Sequence, residues 1–269
     1  MSKIHIIIAG AAGRMGRMLI NSAAADPELE VVGAVEYPQY PGIGSDSGVV
    51  AGCGANGVAI RGTLSPVPAG AEVLIDFATA GVIERAREAI AAGLAVVIGT
   101  TALPAADREE LQRLAAGGGR VLLASNMSVG VNLLFKLVGE AARVLGPEYD
   151  VEIVEMHHNQ KKDAPSGTAM TLAEVVCDEL SLDVDTALRH GRSGIPGART
   201  RGEIGMHSLR GGDVVGDHTV IFAINGERLE LTHRASSRDT FARGALRAAK
   251  FLASAAPGMY DMRDVLKLK

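Results

Sequence analysis

Two periods of hydrophobicity alternate along the first 125 residues. Runs of consecutive apolar residues predict buried strands at residues 3–9, 29–35, 73–78, 94–99 and 120–125. Helical spacing between these runs predicts helices at residues 14–25, 81–92 and 105–116. Strands and helices that alternate in this way form a parallel sheet covered by helices on both faces. Residues 37–70 break the rhythm, and their Gly, Pro and Ser content predicts a long loop with one short strand.

The pattern changes near residue 128, where we expect a second, strand-rich domain to begin. Amphipathic spacing predicts helices at residues 129–146, 168–180 and 241–255, the last capped by Ser236, Ser237 or Asp239. Alternation predicts a strand at residues 150–158 and further strands within 207–235. Gly211-Gly212 and Asn225-Gly226 are typical of hairpin turns. The predicted fold class is α/β, with a Rossmann-like parallel-sheet domain and a smaller mixed α+β domain.

Composition narrows the class of protein. Hydrophobic residues make up 47% of the 269 positions and charged residues 22%, as in ordinary globular proteins. The net charge of -4 argues against a nucleic-acid partner, since such proteins normally carry a basic excess. There is no run of about 18 apolar residues and no secretory leader, so we expect a soluble, cytoplasmic protein without a membrane partner. Cys53 and Cys177 lack metal-site spacing and are interpreted as structural residues.

A glycine-rich turn, AGAAGRMGR, joins the first predicted strand to the first predicted helix. Gly10, Gly13 and Gly16 have the spacing Gly-x-x-Gly-x-x-Gly, a variant of the Gly-x-Gly-x-x-Gly turn of dinucleotide-binding proteins. Glycine allows a tight turn and a close backbone approach, and the N-terminus of the following helix attracts a pyrophosphate. A glycine turn alone is a weak sign, because many such turns serve packing only. The acidic residue Glu36 at the end of the second strand makes dinucleotide binding the favoured interpretation.

Glu36 also bears on the choice of nucleotide. It lies 20 residues after Gly16, where a carboxylate can accept hydrogen bonds from the adenosine ribose hydroxyls. The same carboxylate repels a 2′-phosphate, and none of the four residues after it is a cation. Arg14 and Arg17 could reach a phosphate from the first helix, or could simply be solvated. The sequence predicts NADH as the preferred cofactor, with NADPH possible.

A dense polar stretch, HHNQKKDAPSGTA, spans residues 157–169. His157 and His158 follow an alternating strand, and a histidine suits proton transfer because its ordinary pKa is about 6.5. Lys161 comes next, and the residues from Ser166 to Thr168 open a predicted helix. A helix N-terminus with hydroxyls and a nearby ammonium suits a carboxylate. The stretch predicts a site that binds and protonates an anionic substrate, although a plain Ser/Thr cap would explain the helix start alone.

A metal site is the main alternative for this stretch. His157, His158 and Asp163 could supply ligands, but adjacent residues do not easily face one ion. The other histidines show no ligand spacing along a helix. Proton donation is therefore favoured and no metal is expected. The residues alone leave His157 and His158 interchangeable as the proton donor.

The stretch from Glu155 to Ala169 resembles the signature of the dihydrodipicolinate reductase family, Glu-x-His-His-x-x-Lys-x-Asp-Ala-Pro-Ser-Gly-Thr-Ala. Further motifs resemble the family in the same order, namely GAAGRMGR, IDFAT, IGTT, ASNMSVGVN, RGGDVVGDHTVIF and ERLELTHRASSRDTFARGALRAA. The resemblance covers nearly the whole chain. It implies an NAD(P)H-dependent reductase that acts on 4-hydroxy-tetrahydrodipicolinate, a small cyclic dicarboxylate of diaminopimelate and lysine biosynthesis.

The resemblance also implies a domain organisation and roles for single residues. We expect a dinucleotide-binding domain of residues 1–127 completed by 238–269, and a substrate-binding domain of residues 128–237 that forms a homotetramer. His157 is implied as the proton donor and Lys161 as a second proton donor. The implied substrate-binding residues are His158, Ser166, Gly167 and Thr168. The implied cofactor-binding residues are Gly10, Ala11, Ala12, Gly13, Arg14, Met15, Glu36, Gly99, Thr100, Thr101, Ala124, Ser125, Asn126 and Met127.

Two positions depart from the family pattern. Tyr37 stands where many members have an arginine, which weakens the case for NADPH, and Gln160 stands where some have a basic residue. Two other functions compete with the implied one. Another Rossmann-fold reductase of a small amino or keto acid would explain the glycine turn but not residues 157–169. A non-catalytic nucleotide sensor would be expected to lose the His–Lys pair, which this chain retains.

Overall fold

The structure of the chain is a computed structural model that describes residues 3–100 and 103–268. Its strands are β1 (Ile4–Ala9), β2 (Leu29–Val35), β3 (Ile60–Arg61), β4 (Val73–Asp76), β5 (Ala95–Ile98), β6 (Arg120–Leu123), β7 (Asp150–His157), β8 (Leu188–His190), β9 (Ile204–Arg210), β10 (Gly216–Ile224), β11 (Glu227–Ala235) and β12 (Gly258–Tyr260). Its α-helices are α1 (Arg14–Ala24), α2 (Ser47–Ala51), α3 (Val82–Ala91), α4 (Ala105–Ala116), α5 (Val129–Leu145), α6 (Gly167–Leu180), α7 (Val184–Ala187), α8 (Asp239–Ala253) and α9 (Met262–Leu266). A single 3-10 turn is assigned among these residues, at Gly146–Glu148.

The chain divides into two compact units. The first comprises Met1–Val129 and Asp239–Lys269, and the second comprises Gly130–Arg238. In the first unit the described strands form one parallel sheet in the order β12-β6-β5-β4-β1-β2-β3. The chain order reverses at β1, which lies between β4 and β2, and ligands of such sheets bind beyond the carboxyl ends of strands at this point. The predicted α/β fold class is confirmed.

Helices cover both faces of this sheet because its strands are apolar on both sides. In β1, Ile6 and Ile8 belong to a core that includes residues of α1 and α8, whereas Ile7 and Ala9 belong to a core that includes residues of α3 and α4. All four side chains are fully buried. A continuous apolar run is therefore required here, since alternate side chains of a strand enter opposite layers.

The second unit contains a mixed sheet in the order β11-β10-β7-β9-β8 among its described strands. Strand β7 pairs antiparallel with β10 and parallel with β9. One face of the sheet packs against α5 and α6, and its core includes Ile153, Val220 and Phe222. Side chains on the other face, such as Val154 and Ile221, are only partly buried. Strand β7 thus lies at the centre of the sheet, with its carboxyl end reaching His157.

The structure differs from the predicted elements where elements are short or their pairing is not local. The Gly211-Gly212 hairpin prediction is wrong, because β7 lies between β9 and β10, whereas Asn225-Gly226 does close the β10–β11 hairpin. Helix α2 lies within the predicted loop at residues 37–70, and β12 and α9 follow the helix that was predicted to be the last. Helix α9 does carry a local signal, since Asp261 and Asp264 form a capping box at its start.

Candidate active site

The glycine turn after β1 has the geometry of a nucleotide-binding turn. Gly10 has a φ of +72°, a region that favours glycine, and a Cβ at Gly16 would lie 2.1 Å from the carbonyl oxygen of Gly10. Gly13 is the N-cap of α1, and no side chain there accepts a hydrogen bond from the first amides of the helix. The backbone alone can therefore face a pyrophosphate at this helix start, as the residue pattern predicts. The first turn of α1 also carries Arg14 and Met15.

Glu36 lies next to this turn, directly after β2. Its Oε2 accepts a hydrogen bond from the backbone N–H of Ala12 at 2.9 Å, which holds the carboxylate against the turn. The backbone carbonyl of Arg61 accepts a hydrogen bond from the Glu36 N–H. The guanidinium of Arg61, however, donates to the carbonyl oxygens of Ser65 and Pro66 at 2.6 and 2.7 Å. The guanidinium of Arg61, the cation at the end of β3, is thus already hydrogen-bonded to backbone carbonyl oxygens.

The other cofactor candidates of the first unit follow the carboxyl ends of β5 and β6. Thr100 donates a hydrogen bond from Oγ1 to the carbonyl oxygen of Ala78. A Cβ added to Gly10 would lie 3.3 Å from the backbone of Ala78. Asn126 accepts a hydrogen bond from the Ser128 N–H through Oδ1 at 2.9 Å. Most of the predicted cofactor residues thus lie beyond the carboxyl ends of strands in this sheet. The same end of the sheet carries Ala11, Gly99, Ala124, Ser125 and Met127. Thr101 lies outside the described residues.

His157 ends β7 in the second unit, and its side chain is largely buried, with 12% of its surface exposed. Its Nδ1 lies 2.6 Å from Oε2 of Glu155, a fully buried residue on the same face of the strand. A Cβ at Gly216 would lie 3.0 Å from Nε2, so glycine keeps the space beside that nitrogen open. Burial lowers the pKa of His157, and the charges of Lys161 and Arg210 lower it further against the opposing effect of Glu155.

Glu155 is held by several donors besides His157. Arg210 of β9 donates from Nη1 to Oε2 and from Nη2 to Oε1, both at 2.9 Å, and the Ser166 N–H donates to Oε1 at 3.2 Å. Burial acts to raise the pKa of Glu155, but the hydrogen bonds from Arg210 and His157 outweigh it and the pKa is lowered. Glu155 is therefore a buried carboxylate that stays ionised, and the ring nitrogen facing it carries a proton.

A second histidine, His218 of β10, contacts the ring of His157 edge-on at a centroid distance of 5.2 Å. It is 3% exposed, and its Nε2 lies 3.0 Å from Oγ of Ser166. Burial lowers the pKa of His218 to about 4, and the neighbouring His157 adds to the effect. His218 is therefore neutral near pH 7 and is not a charged proton donor at that pH.

Helix α6 starts beside these side chains. Ser166 is its N-cap, and its Oγ accepts a hydrogen bond from the Ala169 N–H at 3.2 Å. Its own N–H donates to Glu155, so the cap is tied to the strand that carries His157. Gly167 is exposed, and a Cβ added to it would meet nothing within 4 Å. Open space at a helix N-terminus with Thr168 as the next residue is suited to binding a carboxylate.

Lys161 lies in the loop between β7 and α6. Its Nζ lies 2.9 and 2.8 Å from the two carboxylate oxygens of Asp163, which is mostly exposed. The Lys161 N–H donates to the carbonyl oxygen of His158, whose own N–H donates to Val214. Asp163, which is itself exposed to solvent, thus keeps the Lys161 ammonium near the end of β7. Among the described residues, no three His, Cys, Asp or Glu side chains are grouped as possible metal ligands.

Three side chains of this site were missed by the sequence-based interpretation. Arg210 and His218 lie on other strands, 55 and 52 residues from their hydrogen-bond partners in the chain. Glu155 stands two residues before His157, which places both on one face of a strand, and this spacing was the one local signal available. Within the described residues, no helix is both long and apolar enough to cross a bilayer.

Comparison with known proteins gives consistent results for both units. The profile for the N-terminus of dihydrodipicolinate reductase matches residues 4–127, and that for the C-terminus matches residues 130–266. A 4-hydroxy-tetrahydrodipicolinate reductase from Syntrophotalea carbinolica is 49% identical over 267 residues, covering 99% of this chain and 100% of the relative. A protein of the same name from Geobacter metallireducens is also 49% identical over 267 residues, with the same coverage.

A solved structure is similar in fold. It is a dipicolinate-bound dihydrodipicolinate reductase from Paenisporosarcina sp. TG-14, with a TM-score of 0.75 and 22% sequence identity. The match covers 96% of this chain and 97% of that chain. At this identity the likeness concerns the fold alone.

Proposed function

This chain belongs to the dihydrodipicolinate reductase family, and we propose that it reduces 4-hydroxy-tetrahydrodipicolinate to tetrahydrodipicolinate in the cytoplasm. The conversion adds one hydride and one proton to the substrate and releases one water. The protein must therefore bind a nicotinamide nucleotide, hold a small dicarboxylate and deliver a proton. The observation that carries this proposal is the pairing of His157 with Glu155 beside the start of α6.

The first unit supplies a site that fits a dinucleotide. The close approach of Gly16 to Gly10 and the uncapped start of α1 suit a pyrophosphate, and Glu36 suits the ribose hydroxyls. When bound, the nicotinamide supplies the hydride. We assign orientation of its ring and amide to the residues after β5 and β6, which include Thr101 by sequence. Holding the nucleotide in one orientation is the contribution of these residues to the rate.

The second unit supplies the proton and the substrate contacts. His157 donates its proton from Nε2, because Nδ1 is held by Glu155. The N-terminus of α6, at Ser166, Gly167 and Thr168, binds one substrate carboxylate, and His158 contributes a further contact. Lys161 offsets the negative charge and serves as the second proton donor. These roles require no metal ion.

Enzyme activity tests the proposal. We expect the purified protein to oxidise NADH, followed by absorbance, only when substrate is freshly supplied by the preceding synthase of the pathway. NADPH is expected to support a kcat/KM roughly tenfold lower, because the Glu36 carboxylate would repel its 2′-phosphate at short range. A failure to oxidise either nucleotide would support another reductase or a non-catalytic nucleotide sensor.

The variant Glu36→Gln serves as the matched test of the nucleotide preference. It keeps a hydrogen-bond acceptor for the Ala12 N–H but removes the negative charge. The ratio of the two kcat/KM values is expected to approach one. If the wild-type chain prefers NADPH, or if the ratio does not change in the variant, the role assigned to Glu36 is wrong.

We also propose that the chain assembles as a homotetramer through the face of the second unit's sheet that lies opposite α5 and α6. This face carries Val154, Met156 and Ile221, all only partly buried, and the Oγ1 atoms of Thr219 and Thr232 lie 3.0 Å apart on it. A sheet face with several neighbouring apolar side chains is seldom left exposed to solvent, and such a face is typical of a contact between subunits.

Light scattering is expected to give four times the chain mass of 27.9 kDa. Ile221→Asp is expected to lower the mass, because it would bury a charge in the contact. Val144→Asp is the control, since Val144 is 74% exposed on α5 and lies outside that face. A monomeric wild-type chain, or an Ile221→Asp variant that stays tetrameric, would contradict this assembly.

A further inference from the structure

Glu155 is the most completely buried charged side chain of the second unit among the described residues. Its exposed fraction is zero, and its carboxylate receives hydrogen bonds from His157, Arg210 and Ser166. These donors belong to three different parts of the fold, namely β7 itself, β9 and the N-cap of α6. One carboxylate therefore joins the imidazole of the proton donor to the helix start that we assign to substrate binding.

The partner of Glu155 extends this connection to the loop that carries Lys161. Arg210 uses both terminal nitrogens on Glu155, and Nη2 also donates to the carbonyl oxygen of Asp163 at 2.7 Å. Asp163 in turn contacts Lys161 through its side chain. A buried charge is costly unless it is paired and hydrogen-bonded, and a plain core position would be better filled by an apolar residue. The completeness of this network indicates a role beyond packing.

We propose that Glu155 is a positioning residue of the reductase, which orients the His157 imidazole and the N-cap of α6 relative to each other through one carboxylate. This inference rests on the proposed function. The hydrogen bond to Nδ1 keeps the proton of neutral His157 on that nitrogen, so only Nε2 is left to exchange a proton with the substrate. The bond to the Ser166 N–H keeps the carboxylate-binding amides of α6 beside that same ring.

The charges around His157 predict how the pH dependence responds. Glu155 stabilises the imidazolium, whereas Lys161 and Arg210 oppose it, and His218, in edge-on contact, is neutral. Removing the Glu155 charge leaves burial and the two cations unopposed, so the pKa of His157 falls. A proton donor works only while protonated, so the alkaline limb of kcat/KM moves to lower pH.

The same strand offers a matched control. Glu152 of β7 also accepts hydrogen bonds from Arg192 and Arg199 and lies 2.6 Å from a histidine nitrogen, Nε2 of His207. It lies on the opposite face of the strand, because positions 152 and 155 differ by an odd number and successive side chains of a strand alternate between its faces. Glu152→Gln therefore removes a carboxylate with the same kinds of partner, away from His157.

We expect Glu155→Gln to lower kcat roughly 10- to 100-fold and to move the alkaline limb of kcat/KM down by about one pH unit or more. Glu155→Asp is expected to recover the position of the limb in part, because it restores the charge. Glu152→Gln is expected to leave the limb in place. A Glu155→Gln variant with an unchanged limb would overturn the inference, whatever its kcat, provided that wild-type reductase activity is established first.

A measurement on the wild-type chain covers the case in which Glu155→Gln does not fold. Histidine-selective ¹⁵N NMR spectra of the ligand-free protein are expected to show neutral His157 with its proton on Nδ1. A proton on Nε2 would overturn the inference. The spectra need no substrate, so this result is independent of whether the proposed reaction is correct.

Discussion

Replacing His157 with glutamine is expected to lower kcat by roughly 100- to 10,000-fold, the usual contribution of a general acid. Glutamine can still donate a hydrogen bond to the buried Glu155 carboxylate, whose Oε2 lies 2.6 Å from Nδ1 of His157 in the wild-type chain. It has no proton to transfer at neutral pH. The KM for the substrate is expected to change little, because the start of α6 and Lys161 are left intact. Steady-state kinetics at saturating nucleotide measure both parameters.

The pH profile adds a second readout to this prediction. Burial lowers the pKa of His157, so the alkaline limb of kcat/KM in the wild-type chain is expected below the pH range of a free imidazole. This limb is expected to disappear in His157→Gln. His158→Gln is the companion variant, since His158 is the adjacent histidine without a carboxylate partner among the described hydrogen bonds. It is expected to raise KM and keep the limb. The reverse pattern would exchange the roles of the two histidines.

Replacing Lys161 with alanine is expected to reduce kcat/KM by roughly 30- to 700-fold, or about 2–4 kcal/mol, with effects on both kcat and KM. The Lys161 side chain is 19% exposed and is kept near the end of β7 by Asp163. A dicarboxylate that replaces Asp163 as the partner of this ammonium gains a charge-assisted hydrogen bond close to His157. If Lys161 has the proposed role, loss of the ammonium removes both substrate affinity and a proton source.

Lys162→Ala is the control for this prediction. It removes the same charge one residue away, from a position that is exposed to solvent. Its kcat/KM is expected to stay within about threefold of the wild-type value, since an exposed charge contributes little. If Lys161→Ala keeps near-wild-type kinetics, the ammonium contributes nothing to the reaction beyond its ion pair with Asp163, and the role assigned to Lys161 is wrong.

The order of elements in the first unit could be predicted from local patterns. Each of the longer strands of its sheet is a run of consecutive apolar residues, because both faces of the strand are buried. Each helix that covers the sheet has its own amphipathic spacing. The short strand predicted within residues 37–70 corresponds to β3, which pairs with β2. Strand β12 is the exception, because it is 3 residues long and is defined by pairing with β6 rather than by its own composition.

The candidate site divides in the same way. The glycine turn, Glu36 and the capped start of α6 are local features, so spacing alone indicated them. Arg210 and His218 reach the site through strand pairing, because β9 and β10 flank β7. No periodicity in the sequence shows that these two strands lie on either side of β7 rather than next to each other, and the Gly211-Gly212 prediction failed for that reason.

The sequence by itself determined the alternation of strands and helices, the nucleotide-binding turn, and the set of polar residues from which a proton donor and a carboxylate site could be drawn. The tertiary structure alone decided which of the adjacent histidines is held by a buried carboxylate. Arg210, 55 residues away in the chain, is brought to Glu155 by the pairing of β7 with β9, and together with His157 it keeps this buried carboxylate charged. Such a contact depends on the folded sheet, and so the orientation of His157 does too.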